Sequence, residues 1–288
     1  MLPIPKTMAH YIIQHIIWYC YNTRFFDRRA YLGITLLGFA HGLNGISGFY
    51  INPYLVAKLF ISIALYLAST FSINNCFDTK SDVTQSEKLK KNPDTAGLVD
   101  FKEGLALSLS IGFIGLALTY VWFNEAVFFL YVLLISLGMA YSIPPLRLKS
   151  VPIIDLISHG LFFGWLLFLF GLLVAGGRIQ NPILSLSNFL CSVTFEPRNH
   201  LEADDYSGTK ITACWLGPTK ARMFLKILLA THLFSILFSY NWNCNTPLRF
   251  AAPEFLHENW RRFLLHSIRV FSLISSDELT RWLIGEIC

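Results

Sequence analysis

The chain has 288 residues, of which 54% are hydrophobic and only 14% charged, with 23 Lys and Arg against 18 Asp and Glu for a formal charge of +5. A water-soluble domain carries roughly 25% charged residues. So few charges cannot cover a soluble surface, which implies a polytopic membrane protein and excludes an ordinary cytosolic enzyme, a disordered chain and a nucleic-acid binder. The basic excess then concerns topology rather than a polyanionic partner.

A spanning helix needs about 20 mostly apolar residues. Met8 to Tyr21 reads as an interfacial helix or the start of a first span, kinked near Arg24 to Arg29. Tyr31 to Tyr50 and Tyr54 to Ile73 form one pair of spans, and Leu105 to Phe123 and Ala126 to Ser142 a second. Ile153 to Ala175 and the shorter Pro182 to Phe195 form a third, followed by Met223 to Tyr240. Beyond these, Asn241 to Arg262 is polar and aromatic, and Phe263 to Ser275 is short for a span. The expected division is an N-terminal interfacial segment (1–29), a transmembrane bundle (30–240) and a divergent or truncated tail (241–288). The cysteines Cys20, Cys76, Cys191, Cys214, Cys244 and Cys288 form no CxxC pair, so neither a disulfide framework nor a zinc site is expected.

Three polar stretches, Asn74 to Glu103, Ser142 to Val151 and Glu196 to Arg222, follow the second, fourth and sixth spans and so share one side of the membrane. Of the 18 Lys and Arg before residue 240, only Lys58 and Arg178 fall on the opposite side. The positive-inside rule places the three polar loops in the cytoplasm.

Two acidic clusters lie on that side. Asn74, Asp78 and Asp82 are spaced i, i+4, i+8, which is one stripe on one helical face. The stripe continues from an apolar span, where uncompensated carboxylates are expensive, and its oxygen ligands suit a hard cation. Mg2+ takes one or two carboxylates plus substrate phosphate oxygens. The second cluster, Glu202, Asp204 and Asp205, is flanked by Arg198 and Lys210. Two acidic clusters followed by basic residues suggest a diphosphate bridged by Mg2+ and clamped by cations. Lys88, Lys90, Lys91, Arg147 and Lys149 are further clamp candidates. His41 and His159 are polar residues within spans, with Asn44 and Ser158 nearby as candidate partners.

At these residues the chain resembles the UbiA superfamily of intramembrane prenyltransferases. Asn74, Asp78 and Asp82 match its NxxxDxxxD motif. Glu202, Asp204, Gly208 and Leu216-Gly217 are similar to its second acidic motif, with Lys210 and Thr212 near the basic and hydroxyl positions. Lys91-Asn92-Pro93-Asp94-Thr95-Ala96-Gly97 resembles the loop after the first motif, and Tyr141 to Lys149 the short PPLRxK loop. His200 stands where many members carry the leading Asp of the second motif.

The resemblance implies an all-α polytopic transmembrane bundle of about 7–9 helices. It also implies Mg2+-dependent transfer of a polyprenyl group from a prenyl diphosphate donor to a lipophilic acceptor, aromatic or isoprenoid lipid, at a membrane face. Asn74, Asp78, Asp82, Glu202 and Asp204 are the expected catalytic residues, the four carboxylates holding metal. Lys88, Lys91, Arg147, Lys149, Arg198 and Lys210 are expected to bind diphosphate. Two other classes fit parts of the pattern: a catalytically inactive relative acting as a binding protein, and a transporter, whose carboxylates belong near the bilayer midplane.

Overall fold

Asparagine and aspartate mark the starts of three long helices. Asn52 Oδ1 accepts the Tyr54 N–H at 3.0 Å, with Pro53 at the first helical position, where its missing N–H costs nothing. Asp100 accepts from Lys102 N at 3.4 Å, and Asn124 from Val127 N at 3.0 Å. The last of these caps restarts the chain as a helix with only Phe123 and Asn124 between it and its predecessor.

The computed structural model describes residues 17–20, 22–23, 29–43, 52–82, 92, 94–95, 97, 99–179, 212, 215–217, 219–220, 223–224, 226–228 and 230–231, without the side chains of 29, 30 and 80–82. The principal elements are α1 (Arg29–Leu43), α2 (Pro53–Asp82), α3 (Phe101–Trp122), α4 (Glu125–Ser142) and α5 (Ile154–Val174). A single 3-10 turn, Leu148–Ser150, lies between α4 and α5. Among the described residues there is no strand. Helices α2 to α5 are each long and apolar enough to cross a membrane; the apolar part of α1, Tyr31–Leu43, is shorter. The expected span at Pro182 to Phe195 and the tail lie outside the described residues, and the span at Met223 to Tyr240 lies largely outside them.

The expected second span stops at Ile73, but α2 continues to Asp82. Hydropathy marks where the apolar slab ends; backbone hydrogen bonding continues because no Gly or Pro interrupts Asn74 to Asp82. At 1.5 Å per residue α2 is about 45 Å long, against an apolar slab of about 30 Å, so its last turns project beyond the slab.

Packing follows membrane rules. Helix α3 buries Gly104, Ser108, Gly112, Gly115 and Thr119 and exposes Leu109, Phe113, Ile114 and Val121. Small residues inside permit close approach, and large apolar ones face outward. The Ser69 hydroxyl donates to Ser108 O at 2.9 Å, and Tyr131 Oη to Ser62 O at 3.0 Å. Helices α1 and α5 touch backbone to backbone: a Cβ on Gly38 would stand 1.9 Å from Phe168 O, and one on Gly171 2.0 Å from Thr35 O. Between these pairs lies an apolar core that includes Ile63, Tyr66, Leu67, Tyr131, Leu134, Phe162 and Phe170.

Candidate functional site

The projecting end of α2 carries the first acidic stripe. One helical turn separates Asn74 from Asp78, and Asn74 Nδ2 donates to Asp78 Oδ2 at 2.9 Å. The loop after α4 closes over this pair. Ser142 Oγ, at the last residue of α4, donates to Asn74 Oδ1 at 3.1 Å. Lys149 Nζ donates to Asn74 Oδ1 at 2.8 Å and also to Asp78 Oδ1. Arg147 Nη2 stands 3.5 Å from Asp78 Oδ1. Asp78 and Lys149 are 15% and 12% exposed, so each charge is largely withdrawn from water and compensated by the other. Arg147 is more open, yet its Nε is buried with no hydrogen-bond partner.

The loop itself is tightly folded. Its Pro144–Pro145 bond is cis, and Arg147 (φ 33°) and Ile153 (φ 71°) hold positive φ without being glycine. Such backbone conformations cost roughly 1–3 kcal/mol each and persist only where the surroundings fix them. Ser150 N and Oγ both donate to Arg147 O, at 2.9 and 2.8 Å. Past the loop, the buried Asp155 carboxylate accepts from Thr212 N at 2.9 Å and from the Thr212 hydroxyl.

Behind Asn74 lies a layer of amides. Asn75 Nδ2 donates to Asn22 O at 2.8 Å and to Asn22 Oδ1 at 2.9 Å, while Asn92 Nδ2 donates to Asn75 O at 3.1 Å. Asn92 Oδ1 in turn accepts the Asp94 N–H at 3.1 Å, which folds the loop against α2. Asp94 sits beside Gly104 and Cys76, and burial pushes its carboxyl up to about 6.

Membrane-ward of the polar cluster the wall is aromatic. Phe71, one turn before Asn74, stacks on Phe163 at 5.7 Å; Tyr31 lies 4.5 Å from Phe163, and Tyr141 5.2 Å from Phe162. His159 joins them, 4.8 Å from Phe163. Ser158 does not serve His159: its hydroxyl turns back to Ile154 O at 2.6 Å and Asp155 O at 3.0 Å, as a serine in a helix readily does. A π-helical turn, Gly160–Trp165, carries Phe162 and Phe163.

The structure therefore joins Asn74, Asp78, Arg147 and Lys149, which sequence reasoning named. Lys88, Lys91, Arg198, Glu202, Asp204 and Lys210 lie outside the described residues, as does the side chain of Asp82. Sequence reasoning missed the parts played by Ser142, Asn75 and Asp155. Asp155 carried a usable signal, a carboxylate at the start of an apolar span. Among the described residues no three His, Cys, Asp or Glu side chains cluster as a metal site. What they offer is a hard oxygen pair, Asn74 Oδ1 and Asp78 Oδ1, that already holds the Lys149 ammonium. That donor chemistry fits a Mg2+ ion sharing its ligands with phosphate.

Comparison with solved structures finds the same helix path in a UbiA homologue from Archaeoglobus fulgidus, 20% identical, with a TM-score of 0.71 over 89% of this chain and 86% of that one. The same organism's homologue bound to DMAPP and Mg2+ is 22% identical, with a TM-score of 0.69 over 88% of this chain and 86% of that one. A further homologue structure from that organism, bound to GPP and Mg2+, is 21% identical, with a TM-score of 0.62 over 89% of this chain and 99% of that one. At these identities the likeness concerns the fold. A comparison with curated proteins finds no match. The UbiA prenyltransferase family model matches residues 31–253, more than half of the chain. Together with the four apolar helices of spanning length, this makes the protein an integral membrane protein that belongs to the UbiA prenyltransferase family.

Proposed function

We propose that the chain transfers a polyprenyl group from a prenyl diphosphate to a lipophilic acceptor within the membrane, and that it does so with Mg2+. The observation that carries this reading is the meeting of Asn74 and Asp78 with Arg147 and Lys149 beside an aromatic wall. The solved homologues that hold DMAPP or GPP together with Mg2+ support the donor class and the metal.

Asn74 and Asp78 would hold the metal, joined by Asp82, Glu202 and Asp204. Bound there, Mg2+ supplies positive charge that offsets the acidic side chains and the diphosphate oxygens. Lys149 and Arg147 donate N–H bonds to the diphosphate as charge grows on the departing oxygen. Lys88, Lys91, Arg198 and Lys210 share that role. The C–O bond breaks with its electron pair leaving on the diphosphate. The acceptor's nucleophilic carbon or oxygen then bonds to the allylic carbon and loses a proton. Tyr31, Phe71, Tyr141 and Phe163 would keep water from that carbon. The acceptor is an aromatic compound or an isoprenoid lipid. The excess of Lys and Arg on this side of the bundle supports a cytoplasmic orientation of the site, in the cell membrane. A transporter needs its carboxylates near the midplane, whereas Asp78 lies on the projecting end of α2.

The test is release of diphosphate from radiolabelled geranyl diphosphate by detergent-purified protein, with and without Mg2+, in the presence of a membrane-lipid extract. Mg2+-dependent release, with label in a lipid product and loss of both in Asp78→Ala and Lys149→Ala, is the expected result. Saturable Mg2+-dependent binding without turnover would instead identify an inactive binding relative. Absence of binding would overturn the donor assignment and restore the transporter.

A further inference from the structure

We infer that Asp155 and Thr212 form a latch that positions Arg147 and Lys149, making both of them positioning residues for the diphosphate end of the site. The inference rests on the donor reading above for its role in catalysis, but its geometry is independent of that reading.

Asp155 is 4% exposed and Thr212 3%. A carboxylate this deeply buried needs donors, and Thr212 supplies two: its N–H reaches Asp155 Oδ2 at 2.9 Å and its hydroxyl reaches Asp155 Oδ1. The same hydroxyl oxygen accepts the Ile153 N–H at 2.5 Å. Thr212 Oγ1 thus gives its one proton to the carboxylate and a lone pair to the loop backbone. Serine can do both, and valine neither. The bond to Ile153 falls on a β-branched residue at φ 71°, a backbone conformation that must be held from outside.

The consequence for the site follows from where this latch lies. The loop between α4 and α5 has two anchors: Ser142, bonded to Asn74 at 3.1 Å, and Ile153, bonded to Thr212. Arg147 and Lys149 stand between them, on a backbone closed by Arg147 N to Ile143 O at 3.0 Å and Asp155 N to Val151 O at 3.0 Å. With one anchor released, Ile153 is free to return to negative φ, and the direction in which the chain leaves Lys149 changes with it. Asp155 acts through this loop rather than on the diphosphate, because it is 4% exposed and an anion has nothing to offer another anion directly.

The experiment measures geranyl diphosphate binding in Mg2+ by the full-length protein in detergent. Thr212→Val is expected to weaken binding by about tenfold, the scale of one hydrogen bond involving a charged group, while Thr212→Ser stays within about twofold of the parent. The deciding readout is a cycle with the Arg147→Ala/Lys149→Ala pair: in that background Thr212→Val is expected to cost nothing further, since its effect runs through those two side chains. Effects that multiply would make Asp155 and Thr212 a general brace and overturn the inference. If Thr212→Val does not fold, Asp155→Asn, which keeps one acceptor, takes its place in the cycle. Hydrogen exchange gives a readout that needs no donor. Amides of residues 147–153 are expected to exchange faster in Thr212→Val and not in Thr212→Ser, and unchanged exchange in both would overturn the latch. A parent protein that binds no geranyl diphosphate while its loop amides still respond to Thr212→Val would remove the donor reading and leave the latch standing.

Discussion

Lys149 Nζ lies 2.8 Å from Asn74 Oδ1, joining two residues 75 positions apart in the chain, and the same ammonium is bound to Asp78. A helix end and a loop from the other side of a helical hairpin thereby become one charged cluster. Under the proposed function its stability and its chemistry make opposite demands on the lysine: the ammonium that offsets Asp78 in the free protein would turn toward the diphosphate of a bound donor.

That opposition is testable. Lys149→Met takes a bonded ammonium away from the largely buried Asp78, and thermal unfolding in detergent should show a loss of about 1–3 kcal/mol. Asp78→Asn combined with Lys149→Met should recover most of that stability, because neither charge then remains buried alone. Neither variant should retain more than roughly a hundredth of the parent's diphosphate release. A double variant as unstable as Lys149→Met would show that the two charges do not compensate one another.

Asp94 gives a pH dependence of defined sign. Its carboxyl titrates at about 6 in the folded protein, against about 3.9 in an unfolded chain. The folded state therefore binds this proton more tightly. The resulting stabilisation is complete below about pH 4 and is lost as pH rises through about 6. Asp94→Asn should be more stable than the parent at pH 7.5, with the difference shrinking toward zero near pH 4. Unfolding curves of the two proteins across that window check this. A constant difference would show that the carboxyl does not titrate there.

Two glycines of α1 should respond in opposite ways. A Cβ at Gly38 would meet Phe168 O at 1.9 Å, so Gly38→Ala must push α1 and α5 apart at a cost of about 1–3 kcal/mol. Gly33 has nothing within 4 Å of a new Cβ, and Gly33→Ala should be neutral or stabilise by up to about 1 kcal/mol through helix propensity. Melting temperatures of the two variants in one detergent make the comparison, and equal shifts would contradict the close contact at Gly38.

The aromatic wall should govern what captures the prenyl group. Phe71 stacks on Phe163 one turn from Asn74, and Phe71→Ala opens that wall toward the polar end. The expected product change is a rise in free prenyl alcohol relative to the transferred product, by about tenfold, with donor affinity little altered. Product analysis by chromatography reads both, and an unchanged ratio would mean that water is excluded elsewhere.

Composition and hydropathy alone determined that this is a membrane helix bundle, and they located the helices because burial in lipid forces each span to satisfy its own backbone. The readings Tyr54 to Ile73, Leu105 to Phe123, Ala126 to Ser142 and Ile153 to Ala175 fall on α2 to α5 within a few residues at most ends. Residue spacing also placed Asn74 and Asp78 on one face, since a turn of helix is local geometry. What local geometry cannot express is which cation meets Asp78. Lys88, Lys91, Arg147 and Lys149 were equivalent in sequence, and among the described residues the tertiary structure brings Arg147 and Lys149 to it by folding the α4–α5 loop over α2. The pairing of Asp155 with Thr212 across 57 positions, the amide layer behind Asn74 and the choice of Phe71 and Phe163 from 25 phenylalanines were likewise decided by packing. Each depends on how helices distant in sequence are set against one another, which no periodicity along the chain records.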